Sequence, residues 1–234
     1  MQPSRVREVT HEGAEWWVAE LDLREVKLGL LGQRPGEPQT FEELSEYLLG
    51  RPERLVVATN AGIFDPGRVP VGLHVEDGEE LHALSTAEGS GNFFLKPNGV
   101  FWVDAQGAHV AATKRFAAQG KLELATQSGP LLLDHGVMHP SFSEPGTSLR
   151  VRSAVGVDAA GHVFFALSQA PVSFATSAKL FLDVLHCQDA LYLDGEISAL
   201  LTPERVAGTP HPYAALLVAT LPDARARPTG TEHD

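Results

Sequence analysis

The chain has 234 residues, 43% of them hydrophobic, with 22 Gly and 16 Pro; this suits one turn-rich, strand-rich globular domain and excludes a disordered or coiled-coil chain. A formal charge of −12 excludes attachment to nucleic acid or an anionic membrane through a basic surface, so an anionic ligand needs a local cluster of Arg, Lys or backbone N–H groups. The single cysteine, Cys187, excludes an internal disulfide and a cysteine-based zinc site and reads as a small core residue.

Trp16 to Leu23 alternates well enough to form a first strand, and residues 32–39 are a Gly/Pro/Gln loop. Thr40 followed by Glu43 is a capping-box pattern, and Phe41, Leu44, Tyr47 and Leu48 fall at helical spacing, so a helix is predicted from Phe41 to Leu49. Leu55 to Thr59 reads as a buried strand running into Asn60-Ala61-Gly62-Ile63-Phe64. Val71 to Val75 and Leu81 to Leu84 flank Asp77-Gly78, and Asn92 to Leu95 and Val100 to Val103 flank Pro97-Asn98-Gly99; both are hairpin signatures. Further strands are expected at Ala108 to Ala112, Leu122 to Thr126, Leu131 to Leu133, Ser153 to Val157, Val163 to Ser168 and Ala214 to Thr220. Phe174, Ala178, Phe181 and Leu185 make a second helical stripe with Ser173 as its N-cap. The expected fold is one α+β domain over residues 1–220, a large, mostly antiparallel twisted sheet with a few packed helices, followed by a polar tail at 221–234 expected to fray. No stretch approaches the roughly 20 apolar residues of a membrane span. Residues 1–20 also lack the apolar core of a secretion signal.

Four stretches share one design, a short apolar strand ending in Gly plus a polar side chain: Asn60-Ala61-Gly62, Ser90-Gly91-Asn92, Gln127-Ser128-Gly129-Pro130 and Asp194-Gly195-Glu196. Glycines at such points let backbone N–H groups approach a ligand, one way for an acidic protein to hold phosphate. In the last stretch Asp194, Glu196 and Ser198 lie two apart. They share one face if the segment stays extended and line one turn if Gly195 bends it. The plain alternative is a hairpin whose Asp only accepts backbone hydrogen bonds. Arg150 and Arg152 lie on one face of an extended segment, and Arg152, just before a strand, is the candidate phosphate clamp because its fork matches two oxygens. His135 and His139 are four apart, but Gly136 and Pro140 turn the chain between and beyond them, so no metal site and no cofactor is expected.

These motifs, with the Arg152-Ser153-Ala154-Val155-Gly156 strand, resemble in order and approximate spacing those of the phosphodiester glycosidase family, which includes the catalytic domain of the mannose 6-phosphate uncovering enzyme and many bacterial proteins. The resemblance covers about residues 15–220. It implies hydrolysis of a sugar joined through C1 to a phosphodiester, on a small molecule or a glycan, with Asn60, Gly62, Arg152 and Asp194 in the active site. The family's usual exported location is not matched by a leader in residues 1–20, and Glu196-Ile197 stand where better-known members have further glycines. On this reading Asp194 and Glu196 act at the anomeric carbon and Arg152 holds the phosphate. Asn60, Gly62, Asn92, Gln127, Ser128, Gly129, Gly195 and Ser198 bind substrate. Two alternatives stay open: a non-catalytic sugar-phosphate binding module and a phosphodiesterase that cuts P–O.

Overall fold

The computed structural model describes residues 4–142, 146–208 and 211–222. The strands in chain order are Ser4–His11 (β1), Ala14–Leu21 (β2), Lys27–Leu31 (β3), Glu53–Asn60 (β4), His74–Glu76 (β5), Glu79–His82 (β6), Gly99–Asp104 (β7) and Gly107–Ala112 (β8). There follow Leu122–Ser128 (β9), Leu131–Asp134 (β10), Val137–Met138 (β11), Ser153–Asp158 (β12), Val163–Ser168 (β13), Cys187–Asp194 (β14), Ala199–Thr202 (β15), Arg205–Gly208 (β16) and Leu216–Pro222 (β17). Two α-helices, Phe41–Leu48 (α1) and Phe174–Lys179 (α2), interrupt them, and α2 continues as a π-helical turn over Leu180–Val184.

All named strand pairs are antiparallel and fall into three sheets, β1-β2-β13-β12-β14-β10-β11, β16-β15-β4-β17-β3 and β6-β5-β9-β7-β8. One shared core joins them: Leu21, Val155, Phe165, Leu191 and Leu193 of the first sheet meet Val57 and Leu217 of the second and Phe101, Val110 and Leu124 of the third. The outer faces are covered too. Alternate residues of the first sheet, Trp16, Ala154, Phe164, Ala190 and Tyr192, pack on Ala178, Leu180, Phe181 and Leu185 of the second helical segment. Phe41 and Leu44 of α1 cover Ala58, Leu201 and Leu216. Burial on both faces explains why β14 reads as an unbroken apolar run over its Ala190-Leu191-Tyr192-Leu193 segment. Cys187 opens that strand beneath Phe181, fully buried, and burial pushes its thiol well above the ordinary value.

Local chemistry accounts for most elements. Thr40 accepts from the Glu43 amide at 3.1 Å and Glu43 Oε2 accepts from the Thr40 amide at 3.1 Å, a closed capping box starting α1. Asp77 and Gly78 both take positive φ, 47° and 81°, as the tight hairpin between β5 and β6 requires. The second expected hairpin does not form. Asn92–Phe94 is a 3-10 turn instead of a strand, because Asn98 is buried with its Nδ2 donating to the Phe93 carbonyl at 3.0 Å and so folds the segment back on itself. β7 pairs with β8 and β9. The expected tail overlaps β17 at Leu221 and Pro222 and otherwise lies outside the described residues.

The loop before α1 ties the second sheet to the third. Glu37 Oε2 accepts from the Gly32 amide at 2.8 Å and the Arg34 amide at 3.2 Å, while the intervening Gln33 amide donates to Glu76 Oε1 at 3.1 Å. His74 Nε2 lies 2.7 Å from that same oxygen, and Arg34 Nε lies 3.8 Å from Glu76 Oε2. Arg34 also faces Asp77 and Glu79. Burial, with the neighbouring Glu76, raises the proton affinity of Glu37, whereas His74 and Glu37 overcome burial and hold Glu76 below its ordinary value. A carboxyl with a raised folded value contributes stability below its unfolded value that is lost as pH rises through the folded one. Glu37→Gln is therefore expected to melt above the wild type at neutral pH, with the difference vanishing below the ordinary glutamate value of 4.5. Melting curves across that range check it, and an equal difference at both ends would show that the raised proton affinity of Glu37 is not its cause.

Candidate active site

β12 and β14 lie side by side, Ala154 opposite Tyr192 and Ser153 opposite Asp194 across an irregularity in register. Side chains two apart on a strand share a face, so Ala154 and Tyr192 face α2 and Arg152 extends the Ala154 row, while the irregularity breaks the Tyr192 row and sets Asp194 at the strand end beside Ser153. Phe174, at the start of α2, closes over them. Arg152, Tyr192 and Asp194 therefore all lie at one corner of the first sheet.

Arg152 is buried, and its guanidinium carbon lies over Phe174, 3.5 Å from the ring centroid, and 5.3 Å from that of Tyr192. Its Nε donates to the Val172 carbonyl at 2.9 Å, and Nη2 donates to the Ser148 carbonyl at 2.7 Å and to Ser148 Oγ at 3.3 Å. Nη1 is buried and has no hydrogen-bond partner among the described residues. The two-oxygen fork expected from the sequence is therefore not free: protein carbonyls occupy one side, and a single arm remains to be satisfied. Burial lowers the proton affinity of the guanidinium, which still stays charged at any physiological pH. Arg150 is exposed and joins an isolated bridge to Val172.

The chain turns at Gly195. Asp194 Oδ1 accepts from the Glu196 amide at 2.6 Å and the Ile197 amide at 3.0 Å, so the carboxylate is gripped by the turn it begins. The Glu196 side chain points into solvent, while Ser198 is buried below, its Oγ donating to the Asp194 carbonyl at 2.7 Å. The two carboxylates thus do not face one another from a common strand. Burial raises the Asp194 proton affinity against the pull of the amides.

Beneath this corner the other sequence motifs form a frame. Buried Asn60 donates from Nδ2 to Ser153 Oγ at 2.9 Å and accepts at Oδ1 from the Ala199 amide at 3.2 Å. Gln127 accepts from the Leu73 and Ser85 amides, each at 2.9 Å, and donates to the Ser85 carbonyl at 2.7 Å and Thr113 Oγ1 at 3.1 Å. Ser128 Oγ donates to the Leu193 carbonyl at 3.1 Å and faces the Ile63 amide at 3.4 Å. At Gly62 a Cβ would approach the Gln127 carbonyl oxygen to 2.5 Å, and at Gly129 the Phe93 carbonyl oxygen to 2.8 Å, so both glycines allow close packing of backbone on backbone. Asn92 is exposed at the rim, its Nδ2 3.4 Å from the Tyr192 hydroxyl. Sequence reasoning did not single out Tyr192, Phe174 as a site residue, Ser148 or Ser153. The two-residue spacing from Asp194 back to Tyr192 was the available signal for the first of these.

No helix among the described residues is long and apolar enough to cross a membrane. Among those residues Asp134, His135 and Asp189 bring three metal-type ligand atoms within 4.8 Å of one another. Asp134 already pairs with Arg115, and Asp189 accepts from the His135 amide. His139 is instead a core residue stacked on Phe142 at 4.6 Å between ring centroids.

A family model for phosphodiester glycosidases matches residues 53–224, which span the frame, the clamp and the Asp194 turn. The chain belongs to the phosphodiester glycosidase family. It is 37% identical over 142 residues to the uncharacterised protein YigE of Escherichia coli K12, a match spanning 61% of this chain and 56% of YigE, little more than half that protein's length. The fold is shared with the catalytic domain of zebrafish N-acetylglucosamine-1-phosphodiester alpha-N-acetylglucosaminidase, solved in a form auto-inhibited by its pro-peptide, with a TM-score of 0.64, 16% identity and coverage of 92% of this chain and 81% of that one. A hypothetical protein from Synechocystis has the same fold, with a TM-score of 0.57, 16% identity and coverage of 92% and 61%. Within this phosphodiester glycosidase fold the glycine-rich motifs of the sequence converge on one corner.

Proposed function

We propose that this phosphodiester glycosidase family member is a hydrolase that cleaves the bond between C1 of a sugar and the oxygen of a phosphodiester. The observation that carries the reading is the juxtaposition at one sheet corner of a buried arginine with one unsatisfied donor, Arg152 Nη1, and a carboxyl, Asp194, anchored by two amides. A buried cation with a free N–H favours an anion, and a phosphoryl oxygen fits that demand. Asp194, with its raised proton affinity, takes a proton from the water that attacks C1. The C1–O bond breaks and its electrons leave on the phosphate. A phosphate monoester ionises with a second pKa of about 6, so the departing oxygen needs charge stabilisation more than protonation, and Arg152 supplies that.

In this reading Glu196 contributes its backbone N–H, holding Asp194, while its exposed side chain and Asn92 form the rim. Gly195 lets the turn pass closely, and Asn60, Gly62, Gln127, Ser128, Gly129 and Ser198 frame the corner. The substrate is a small-molecule or glycan phosphodiester.

The test is hydrolysis of a panel of nucleotide sugars and simple glycosyl-1-phosphodiesters in oxygen-18 water. Label is expected in the released sugar, and Asp194→Asn is expected to lower the rate by about 10²–10⁴ while leaving the melting temperature close to wild type. Label in the phosphate would assign P–O cleavage instead. Binding of a panel compound without turnover would make the chain a sugar-phosphate binding module.

A further inference from the structure

We propose that Tyr192 is a positioning residue of this corner: its hydroxyl is a strut that fixes the Asp194–Gly195 turn on one side and the free arm of Arg152 on the other. The assignment rests on the reading of Arg152 and Asp194 as the working pair; the arm in question is the Arg152 guanidinium, with which the Tyr192 side chain interacts. The assignment starts from a glycine that the backbone does not require. Gly195 does not take the left-handed φ that favours glycine, unlike Gly78 or Gly208. What forbids a side chain at 195 is contact. A Cβ there would overlap the Tyr192 hydroxyl oxygen, come within 3.3 Å of Tyr192 Cζ and lie 3.4 Å from Arg150 Cβ. The turn that carries Asp194 is threaded through a slot between Tyr192 and Arg150.

The other side of the same ring bears on the clamp. Tyr192 meets Phe174 edge to face at 4.9 Å between centroids, and the Arg152 guanidinium carbon sits over both rings. The tyrosine is fully buried on β14. Burying a hydroxyl where a phenylalanine would fill the same space costs free energy unless polar partners offset it; the 3.4 Å approach of Asn92 is a weak one, and the other partner is the Arg152 guanidinium. The hydroxyl earns its place by what it holds apart and in line. Burial, then the nearby Asp194, keeps the phenol protonated far above its ordinary range, so the strut is neutral at every working pH.

The experiment compares wild type, Tyr192→Phe, Gly195→Ala and the double variant. Displacement of reacting groups by about 1 Å costs on the order of 10²-fold. Gly195→Ala is expected to lose about that much in kcat. Tyr192→Phe should lose about tenfold in kcat with KM nearly unchanged, because the hydroxyl aligns groups and does not hold substrate. The double variant should recover to the level of Tyr192→Phe, since removing the hydroxyl opens the space the new methyl needs. A wild-type kcat in Tyr192→Phe, or a double variant no better than Gly195→Ala, overturns the strut. If the wild type turns over nothing in the panel, the hydrolase reading fails and the strut is judged by thermal melts. There the double variant must melt above Gly195→Ala, and a melt at or below it refutes the proposal.

Discussion

Replacing Arg152 by methionine is expected to lower turnover of a glycosyl phosphodiester by about 10²–10³, the effect of about 3–4 kcal/mol of lost charge stabilisation, and to leave a folded protein. The asymmetry follows from how Arg152 is held. Among the described residues it has no carboxylate at ion-pair distance; its charge rests against the Val172 and Ser148 carbonyls and the face of Phe174. Methionine removes a desolvated cation and fills much of the same apolar space, which offsets the loss at the Ser148 carbonyl; the Val172 carbonyl keeps the Arg150 amide at 3.2 Å. Rates and melting curves of purified Arg152→Met check this. Collapse of the fold, or a rate within threefold of wild type, would show that Arg152 is a structural bolt and not a clamp. The same geometry predicts that added inorganic phosphate raises the wild-type melting temperature and leaves that of Arg152→Met unmoved.

Asn60→Ala is expected to destabilise the protein by about 2–4 kcal/mol, because it strands two buried partners at about 1–3 kcal/mol each. Those partners are the Ala199 amide, which loses its acceptor, and Ser153 Oγ, which loses the Nδ2 donor and keeps only the longer approaches of Ser198 Oγ at 3.3 Å and the Asp194 carbonyl at 3.5 Å. The cost is structural because Asn60 joins β4 of the second sheet to β12 of the first and to the segment just beyond the Asp194 turn. Urea unfolding measures it directly. A raised KM with an unchanged unfolding midpoint would instead return Asn60 to the role the sequence suggested for it, a ligand of sugar hydroxyls.

Why the fold was legible while the site was only half so can be seen in particular residues. The capping box at Thr40, the stripe beginning at Phe174 and the Asp77-Gly78 hairpin are local signals, complete within a few residues, and each lies where it was expected. The first helix stops at Leu48, and the second tightens into a π-helical turn, details that depend on packing. β3, whose five residues read as neither alternating nor continuous, was not anticipated; its existence depends on pairing with β17, 185 or more residues away. Pro97-Asn98-Gly99 carried the composition of a hairpin, but the buried Asn98 side chain selected another path.

The motifs named from their order meet at one corner of the molecule, with Arg152 and Asp194 on adjacent strand ends. The sequence could not show which polar atoms already had partners. Asn60, Gln127 and Ser128 have the chemistry of ligand-binding residues and are bonded to backbone of other strands and loops. Arg152 retains one nitrogen, Nη1, whose two N–H groups have no hydrogen-bond partner among the described residues. That inventory of donors and acceptors is a property of tertiary structure, and it separates frame from working groups.

Cys187 gives the molecule its own clock. A thiol sealed beneath Phe181 at the start of β14 cannot reach an alkylating reagent in the closed protein, and its proton affinity withholds the reactive thiolate. Labelling therefore counts the moments when the helical cover lifts from the strand that ends in Asp194. With no other sulfhydryl in the chain, one mass shift per molecule records each first opening. Comparing labelling rates with and without a bound phosphodiester would time how firmly occupancy of the corner clamps the far end of the same strand.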